Sequence, residues 1–369
     1  MEKTERLMSL DALRGFDMLW IVGGGWFVGA LCSACGWGDG WLAKEMQHVP
    51  WEGLAFFDTI FPLFLFLTGV SWTFSYASQV ARGRTARQIR RKVLLRTAVL
   101  FLIGLSCGGI LKFKPDFRAT SVLAHIGLSW GIAAFVFMRV RRPLARALVA
   151  FGILLAMWAL LSFVTAPDAP ALAGGFSKEG NIINWLDRTL MPNHILDRGV
   201  YDPESFFAVP NGVALALIGM LAGGVLRDES RSKARRSGVL ALGAVGMLAL
   251  GAFFTLVLGD HVVKALWTSS FVLFTAAYAL AMLALFHWII DVKGWRGWSF
   301  AFRVIGMNAI TIYVAQMIGV LGPVHGYFFR GLVQWAGSPW GGPVGAATYC
   351  LVMWLFLHFL YRKGIFLKV

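Results

Sequence analysis

Hydrophobic residues in this chain come in runs of about 20, the length a helix needs to cross a bilayer. About ten such runs alternate with polar segments, roughly at 8–35, 54–78, 93–111, 121–138, 147–166, 209–226, 238–258, 267–290, 302–322 and 343–361. The pattern predicts an all-α, polytopic membrane bundle of about ten transmembrane helices, organised as a single domain over 1–369. Between the fifth and sixth runs lies a long polar segment, about 166–209, that holds Trp185, His194, Asp197, Arg198, Asp202 and Glu204. Connections of that length in a compact fold are usually functional or disordered. The stretch Y-D-P-E-S-F-F-A-V-P is too aromatic for a flexible linker, so the segment reads as a cap over the outer face. No internal repeat is visible beyond the even spacing of the runs.

Composition agrees with the pattern. Of 369 residues, 58% are hydrophobic and 14% charged, against about a quarter charged in soluble domains. The first run is longer than a signal-peptide core and lacks a small-residue cleavage site before a soluble body, so no cleaved leader is expected. The net charge of +15 raises nucleic acid as a partner. The positions of the charges exclude it, because the basic residues fall in short connections between apolar runs. Twenty-two Lys and Arg fall on one side of the predicted topology, from Lys3 and Arg6 to Lys368, and nine, Lys114 among them, on the other. That asymmetry puts both termini in the cytoplasm and residue 48 outside. The four cysteines include a C-S-A-C at Cys32 and Cys35; small residues at a helix end and a redox pair or metal half-site both fit it.

Two stretches carry ionisable residues in apolar surroundings, where charge is costly and points to function. In Q-H-V-P-W-E-G-L-A-F-F-D-T-I-F-P-L-F-L-F-L-T-G, from Gln47 to Gly69, His48, Glu52 and Asp58 stand at the mouth of an apolar segment. A carboxylate beside an imidazole fixes its tautomer and raises its basicity, as general-base or nucleophilic work requires. His48 is therefore a candidate catalytic group, with Asp58 or Glu52 as its orienting partner; a solvated loop histidine over a buried structural aspartate is the plainer reading. In S-L-D-A-L-R-G-F-D-M-L-W-I-V-G-G-G, from Ser9 to Gly25, Asp11, Arg14 and Asp17 recur every three residues on one helix face. They form either an ion-paired helix end or a binding surface for an anionic ligand. Gly23, Gly24 and Gly25 follow, offering close helix packing or a slot for a thin ligand arm. His125, Lys264, Asn308 and His325 are further polar residues in or beside apolar runs, each able to serve as helix–helix glue. His48, His194, His261 and His325 all fall outside, but none has metal-ligand spacing such as H-x-x-x-H, so no metal is expected.

S-L-D-A-L-R-G-F-D-M and H-V-P-W-E-G-L-A-F-F-D-T-I-F-P-L-F-L-F-L-T-G-V-S resemble the signature of the heparan-α-glucosaminide N-acetyltransferase family, and most closely its bacterial NagX-type branch. Y-D-P-E-S-F-F-A-V-P with I-G-M-L-A-G, K-A-L-W-T-S-S-F-V-L, D-V-K-G-W and G-M-N-A-I-T-I-Y-V extend the resemblance in order along nearly the whole chain. It implies a transmembrane acetyltransferase that takes acetyl-CoA on the cytosolic side and delivers acetyl to the amine of glucosamine or a related amino sugar on the other. It implies His48 as the active-site histidine, a multi-pass protein of the bacterial inner membrane with His48 on the periplasmic side, and a homodimer. Arg14, Asp11, Asp17, Gly24 and Asn308 are candidate contacts for acetyl-CoA, and Trp51, Asp202, Glu204 and Lys264 for the acceptor. The sequence departs from the family where W-I-V-G-G-G stands for V-N-Y-G-G-G and L-A-H-I, around His125, for L-Q-R-I. It also contains no counterpart of the large lumenal domain of the lysosomal members. An amino-sugar transporter and an acyltransferase acting on an envelope glycan are the competing classes.

Overall fold

The computed structural model describes residues 7–113, 117–169, 175–196 and 200–366. Asp197 and Arg198 of the predicted cap, and Lys3, Arg6, Lys114 and Lys368 of the topology argument, lie outside these. Among the described residues the chain is helical and has no strand; two isolated bridges, Glu52 with Val263 and Thr165 with Asn181, are its only β pairing.

Among the described residues eight helical stretches are long and apolar enough to cross a membrane: 8–34, 56–81, 122–139, 143–163, 206–227, 233–256, 269–292 and 321–362. The protein is therefore a multi-pass membrane protein. The run expected at 302–322 is a ninth only if counted as a bent pair, α12 (Phe300–Gly306) and α13 (Ala309–Met317), which meet at 57°. The run expected at 93–111 is the helix α5 (Ala86–Cys107), whose first turns carry Arg87, Arg90, Arg91 and Lys92. Its apolar part, from Val93 on, rises only about 22 Å and contains Arg96. The last helical stretch, α14 (Leu321–Arg362), is broken at Gly337 and Ser338, so a further helix precedes the run expected at 343–361.

The chain forms two compact units. The first takes residues up to 49, 55–60 and those from 285 on. It begins with α1 (Met8–Leu19) and α2 (Gly25–Ala34), joined without interruption by a wide turn at Trp20–Gly24. Gly23 sits in that turn at φ 156°, a conformation open to glycine. Short α3 (Trp41–Glu45) follows. Helix α1 packs on α12 at backbone contact: a Cβ on Gly15 would lie 1.7 Å from the Phe302 carbonyl oxygen, and one on Gly306 1.9 Å from that of Asp11. Without side chains at these two crossings the helices approach closely enough for dispersion contacts along their length.

The second unit takes residues 50–54 and 61–284. It contains α4 (Ile60–Ala81) from Phe61 on, α5, α6 (Val122–Arg139), α7 (Pro143–Phe163), α8 (Ile182–Leu190), α9 (Val209–Arg227), α10 (Lys233–Leu256) and α11 (Ser269–His287) as far as Ala284. Helix α9 is buried nearly all round, with α6 and α7 against it. Its sequence accordingly reads as apolar without a polar stripe. The predicted cap contains an element of its own, α8, capped by the Asn181 side chain on the Asn184 N–H at 2.7 Å. Ile182 and Ile183 of α8 form a small core with Met157 and Leu161 of α7 and Val263, Ala265 and Leu266.

Candidate active site

In the first unit, residues 46–49 lead from α3 to His48, and the segment 55–59 returns as a single helical turn, Phe56–Thr59, that enters α4. Two acids fix this return. Glu45 Oε2 accepts the Phe56 N–H at 2.6 Å. Asp58 Oδ2 accepts the N–H groups of Val49 at 3.3 Å and Ala55 at 3.2 Å. Asp58 is fully buried, and its other oxygen, Oδ1, lies 2.7 Å from His48 Nδ1. A carboxylate that already accepts two amide protons is held as an anionic acceptor, so Nδ1 carries the proton and donates. The neutral ring then has its lone pair on Nε2. Of the two carboxylates that the sequence offers as partners of His48, the structure places Asp58 on the ring. Glu52 is instead bound to His261 Nδ1 at 2.8 Å, within the second unit, where the Gly53 N–H also donates to the Val262 carbonyl at 2.8 Å.

The imidazole of His48 also packs on the Phe57 ring, centroids 4.9 Å apart. Phe57 in turn lies on Gly25, where a Cβ would come within 2.7 Å of the ring. Gly25 begins α2, nine residues before its end at Ala34, which is about 14 Å along the helix axis. The histidine is thus tied, through one aromatic ring, to a point well inside a membrane-spanning stretch. Trp20 supports the neighbouring Phe56 edge-on at 5.0 Å. The triple glycine serves this arrangement with two of its members: Gly23 makes the turn, and Gly25 makes room for Phe57.

On α1 the three regularly spaced charges separate. Arg14 pairs with Asp11 at 3.2 Å. Asp17 is buried, and among the described residues neither carboxylate oxygen has a hydrogen-bond partner. Gly24 is buried in the turn. Asn308 is buried at the break between α12 and α13 and donates to the Ile365 carbonyl at 3.1 Å, a tie between that break and the end of α14.

The second unit gathers the residues expected around the acceptor. Trp51 donates its indole N–H to the Phe176 carbonyl at 2.8 Å and meets Tyr201 edge-on at 5.3 Å, with Lys178 Nζ within 5.5 Å of both rings. Asp202 and Glu204 converge on Arg118. Arg118 donates through Nε and Nη2 to the two oxygens of Asp202, at 2.8 and 2.5 Å, and through Nη2 to Glu204. The Asp202 oxygens also accept the N–H groups of Leu196 and Glu204, at 2.8 and 2.9 Å. The acceptor capacity of Asp202 is therefore used within the protein, and the cluster ties 118, 196 and 202–204 together. Lys264 lies in a single turn, 264–266, and its charge acts on Glu204. His125 is fully buried, stacked on Trp267 at 4.5 Å, with Phe61 edge-on at 5.5 Å. Among the described residues neither ring nitrogen makes a hydrogen bond of normal geometry, although the backbone of Glu204 and Ser205 is close by.

Beneath this cluster Asp187 of α8 accepts the Ser205 hydroxyl at 2.9 Å. Burial pushes its carboxyl up to about 7 against the pull of that hydrogen bond, and the nearby Asp202 adds to the rise. Because the folded value lies above the unfolded one, the protonated acid favours folding at low pH, and that contribution is lost as pH rises through about 4 to 7. The difference is on the order of 4 kcal/mol. Asp260, raised to about 6 by burial, titrates in the same direction. The melting temperature is expected to fall between pH 5 and pH 8, and Asp187→Asn is expected to flatten that fall. A wild-type melt indifferent to pH over this range would contradict a buried neutral acid.

The fold and this histidine define a multi-pass membrane protein with a carboxylate-oriented imidazole at the end of an apolar span. No protein-family model matches the chain. Curated proteins do: over 428 aligned positions the chain is 26% identical to the human heparan-alpha-glucosaminide N-acetyltransferase, covering 99% of this chain and 60% of that one. It is 25% identical to the mouse protein of the same name over 371 positions, covering 85% and 53%. The chain is thus similar over most of its length to proteins named heparan-alpha-glucosaminide N-acetyltransferase, the family that its motifs resemble, and it spans little more than half the length of these proteins.

Proposed function

We propose that this chain is a membrane acetyltransferase that transfers acetyl from acetyl-CoA to the amine of glucosamine or a related amino sugar, as one transmembrane domain of a bacterial inner membrane, with both termini inside and His48 near the periplasmic face. The observation that carries the reading is the Asp58–His48 pair, in a chain related to named N-acetyltransferases. With Nδ1 donating to Asp58, Nε2 is the atom that takes a proton from the attacking amine. The amine nitrogen bonds to the thioester carbonyl carbon, the carbon–sulfur bond breaks, and the proton on Nε2 passes to the departing thiolate. In the alternative order Nε2 attacks the thioester carbonyl carbon, the carbon–sulfur bond breaks and coenzyme A leaves as the thiolate; the amine then bonds to the acetyl carbon of the acetyl-imidazolium, the carbon–Nε2 bond breaks, and the freed Nε2 takes the amine's proton. Enzyme given labelled acetyl-CoA without acceptor carries label on His48 only in the second order.

Distances within the first unit support a path from the inner end of α1 to His48. Arg14 is 11 residues before Gly25, so about 16 Å of helix separates a cation at the inner end from the point where Phe57 seats His48. A phosphate-bearing head at the basic inner surface and a thioester reaching along α1 would then need no crossing of the full hydrocarbon core, about 30 Å thick. Trp51 and Tyr201 offer apolar ring faces of the kind that pack against a sugar.

The direct test is free thiol released from acetyl-CoA by purified protein, with a panel of amino sugars as acceptors. Release that depends on glucosamine or a relative is expected; acceptor uptake into vesicles with no thiol release would make the chain a transporter. Gly25→Ala is expected to lower transfer about 10- to 100-fold, since a displacement of an ångström at a catalytic group has that cost. The added methyl must move Phe57, and with it the ring of His48. Unchanged turnover in folded Gly25→Ala protein would show that Phe57 does not position the histidine.

A further inference from the structure

An apolar groove of about 230 Å³ runs along α7, α9, α10 and α11. None of its 15 lining residues has a polar side chain. Ala222, Leu240 and Leu280 are buried in it, while the outer faces of α7 and α10 expose Leu148 and Leu242. One end of the groove lies at Ala147, Val225 and Val239. Ala147 is five residues past Arg142, Val225 two before Arg227, and Val239 four past Arg235. Three arginines therefore stand within about 8 Å of that end, measured along their helices. Arg142, Arg227, Lys233 and Arg235 are all exposed. Helices α7 and α10 both begin here and α9 ends here, so the positive potential of two helix N-termini is offset in part by one C-terminus and the arginine and lysine side chains carry the charge. The acids at this end are Glu229 and Asp228, the latter paired with Arg231 at 2.8 Å.

The apolar lining alone selects nothing, because a bilayer tail is no more apolar than leucine. The groove fixes where a chain lies, and the cations at one end favour a negative head group there. We propose that this groove is a binding site for an anionic phospholipid, one acyl chain lying between α7 and α10 and the phosphate held at the Arg142, Lys233 and Arg235 end. The site is separate from the His48 pair and does not depend on the reaction assigned to it.

The test is lipid retention. Protein reconstituted into vesicles of equal phosphatidylglycerol and phosphatidylethanolamine is extracted in mild detergent, and bound lipid is counted by native mass spectrometry. Wild type is expected to retain phosphatidylglycerol at least about fivefold over phosphatidylethanolamine. The variant carrying Arg142→Ala, Lys233→Ala and Arg235→Ala is expected to bring the ratio near one. Gly243→Leu fills the groove without changing charge, since a Cβ there meets only Leu280 Cδ1, at 3.6 Å; it is expected to lower retention of both lipids. A wild-type ratio near one overturns the proposal. So does Gly243→Leu protein that keeps its phosphatidylglycerol, which would mean unspecific attraction to a basic surface. Disulfide-linked dimers of Met247→Cys formed in the membrane would put a second copy of the chain over the groove and overturn it as well.

Discussion

Replacing His48 by alanine is expected to lower acetyl transfer by about 10²- to 10⁴-fold or more, the range a positioned general base contributes, while acetyl-CoA still binds. The ring is more than half exposed, and its partner Asp58 is wholly buried, so the substitution removes the reacting atom and leaves the support in place. Asp58→Asn is the sharper companion. The aspartate accepts hydrogen bonds from His48 Nδ1, from Val49 and from Ala55. An asparagine has one oxygen for the two backbone donors, and its amide then turns N–H toward Nδ1. The imidazole must answer as an acceptor, which moves its proton to Nε2, the atom that needs a lone pair. The same volume is kept and the tautomer is inverted, so transfer is expected to fall about 10²-fold or more. Turnover by either variant within tenfold of wild type, at saturating acetyl-CoA, would remove the pair from the chemistry.

The parts of this arrangement that the sequence showed are those carried by local pattern. Apolar runs gave the membrane class because the bilayer demands about 20 residues per span, and the Asp11–Arg14 pair followed from helical spacing. What distance along the chain concealed is who meets whom. Glu52 is nearer to His48 in sequence than Asp58 is, yet it lies on His261, 209 residues away. Arg118 is 84 residues from Asp202 and had no local sign of its role. Helix α8 was legible and missed: Asn181 precedes Ile182, Ile183, Leu186 and Leu190, an N-cap followed by a one-sided apolar pattern. The turn at Trp20–Gly24 explains the triple glycine better than packing alone, because Gly23 needs its backbone angle and Gly25 needs its missing Cβ. Asn308 was read from an apolar context that in fact contains a helix break, where a buried amide can close the exposed backbone of one segment on another.

Arg118 is where long-range pairing has its largest expected effect on stability. Asp202 is fully buried and Glu204 nearly so, and one guanidinium serves both. Removing one member of a buried ion cluster leaves uncompensated charge and costs about 3–5 kcal/mol; Arg118→Met is expected to do so while keeping most of the side-chain volume. The deficit should depend on pH. Burial already pushes the Glu204 carboxyl up, and Arg118 pulls it back. Without the arginine the Glu204 carboxyl rises further above its unfolded value, so its protonated form folds more readily at low pH and the penalty grows as pH rises. Melting temperatures of Arg118→Met should therefore lie further below wild type at pH 8 than at pH 5. Adding Asp202→Asn to Arg118→Met takes away one of the stranded charges and should recover part of the loss at pH 8. An equal deficit at both pH values would mean that Arg118 acts through its packing rather than its charge, and no deficit at all would mean that 118, 196 and 202–204 are held together by something else.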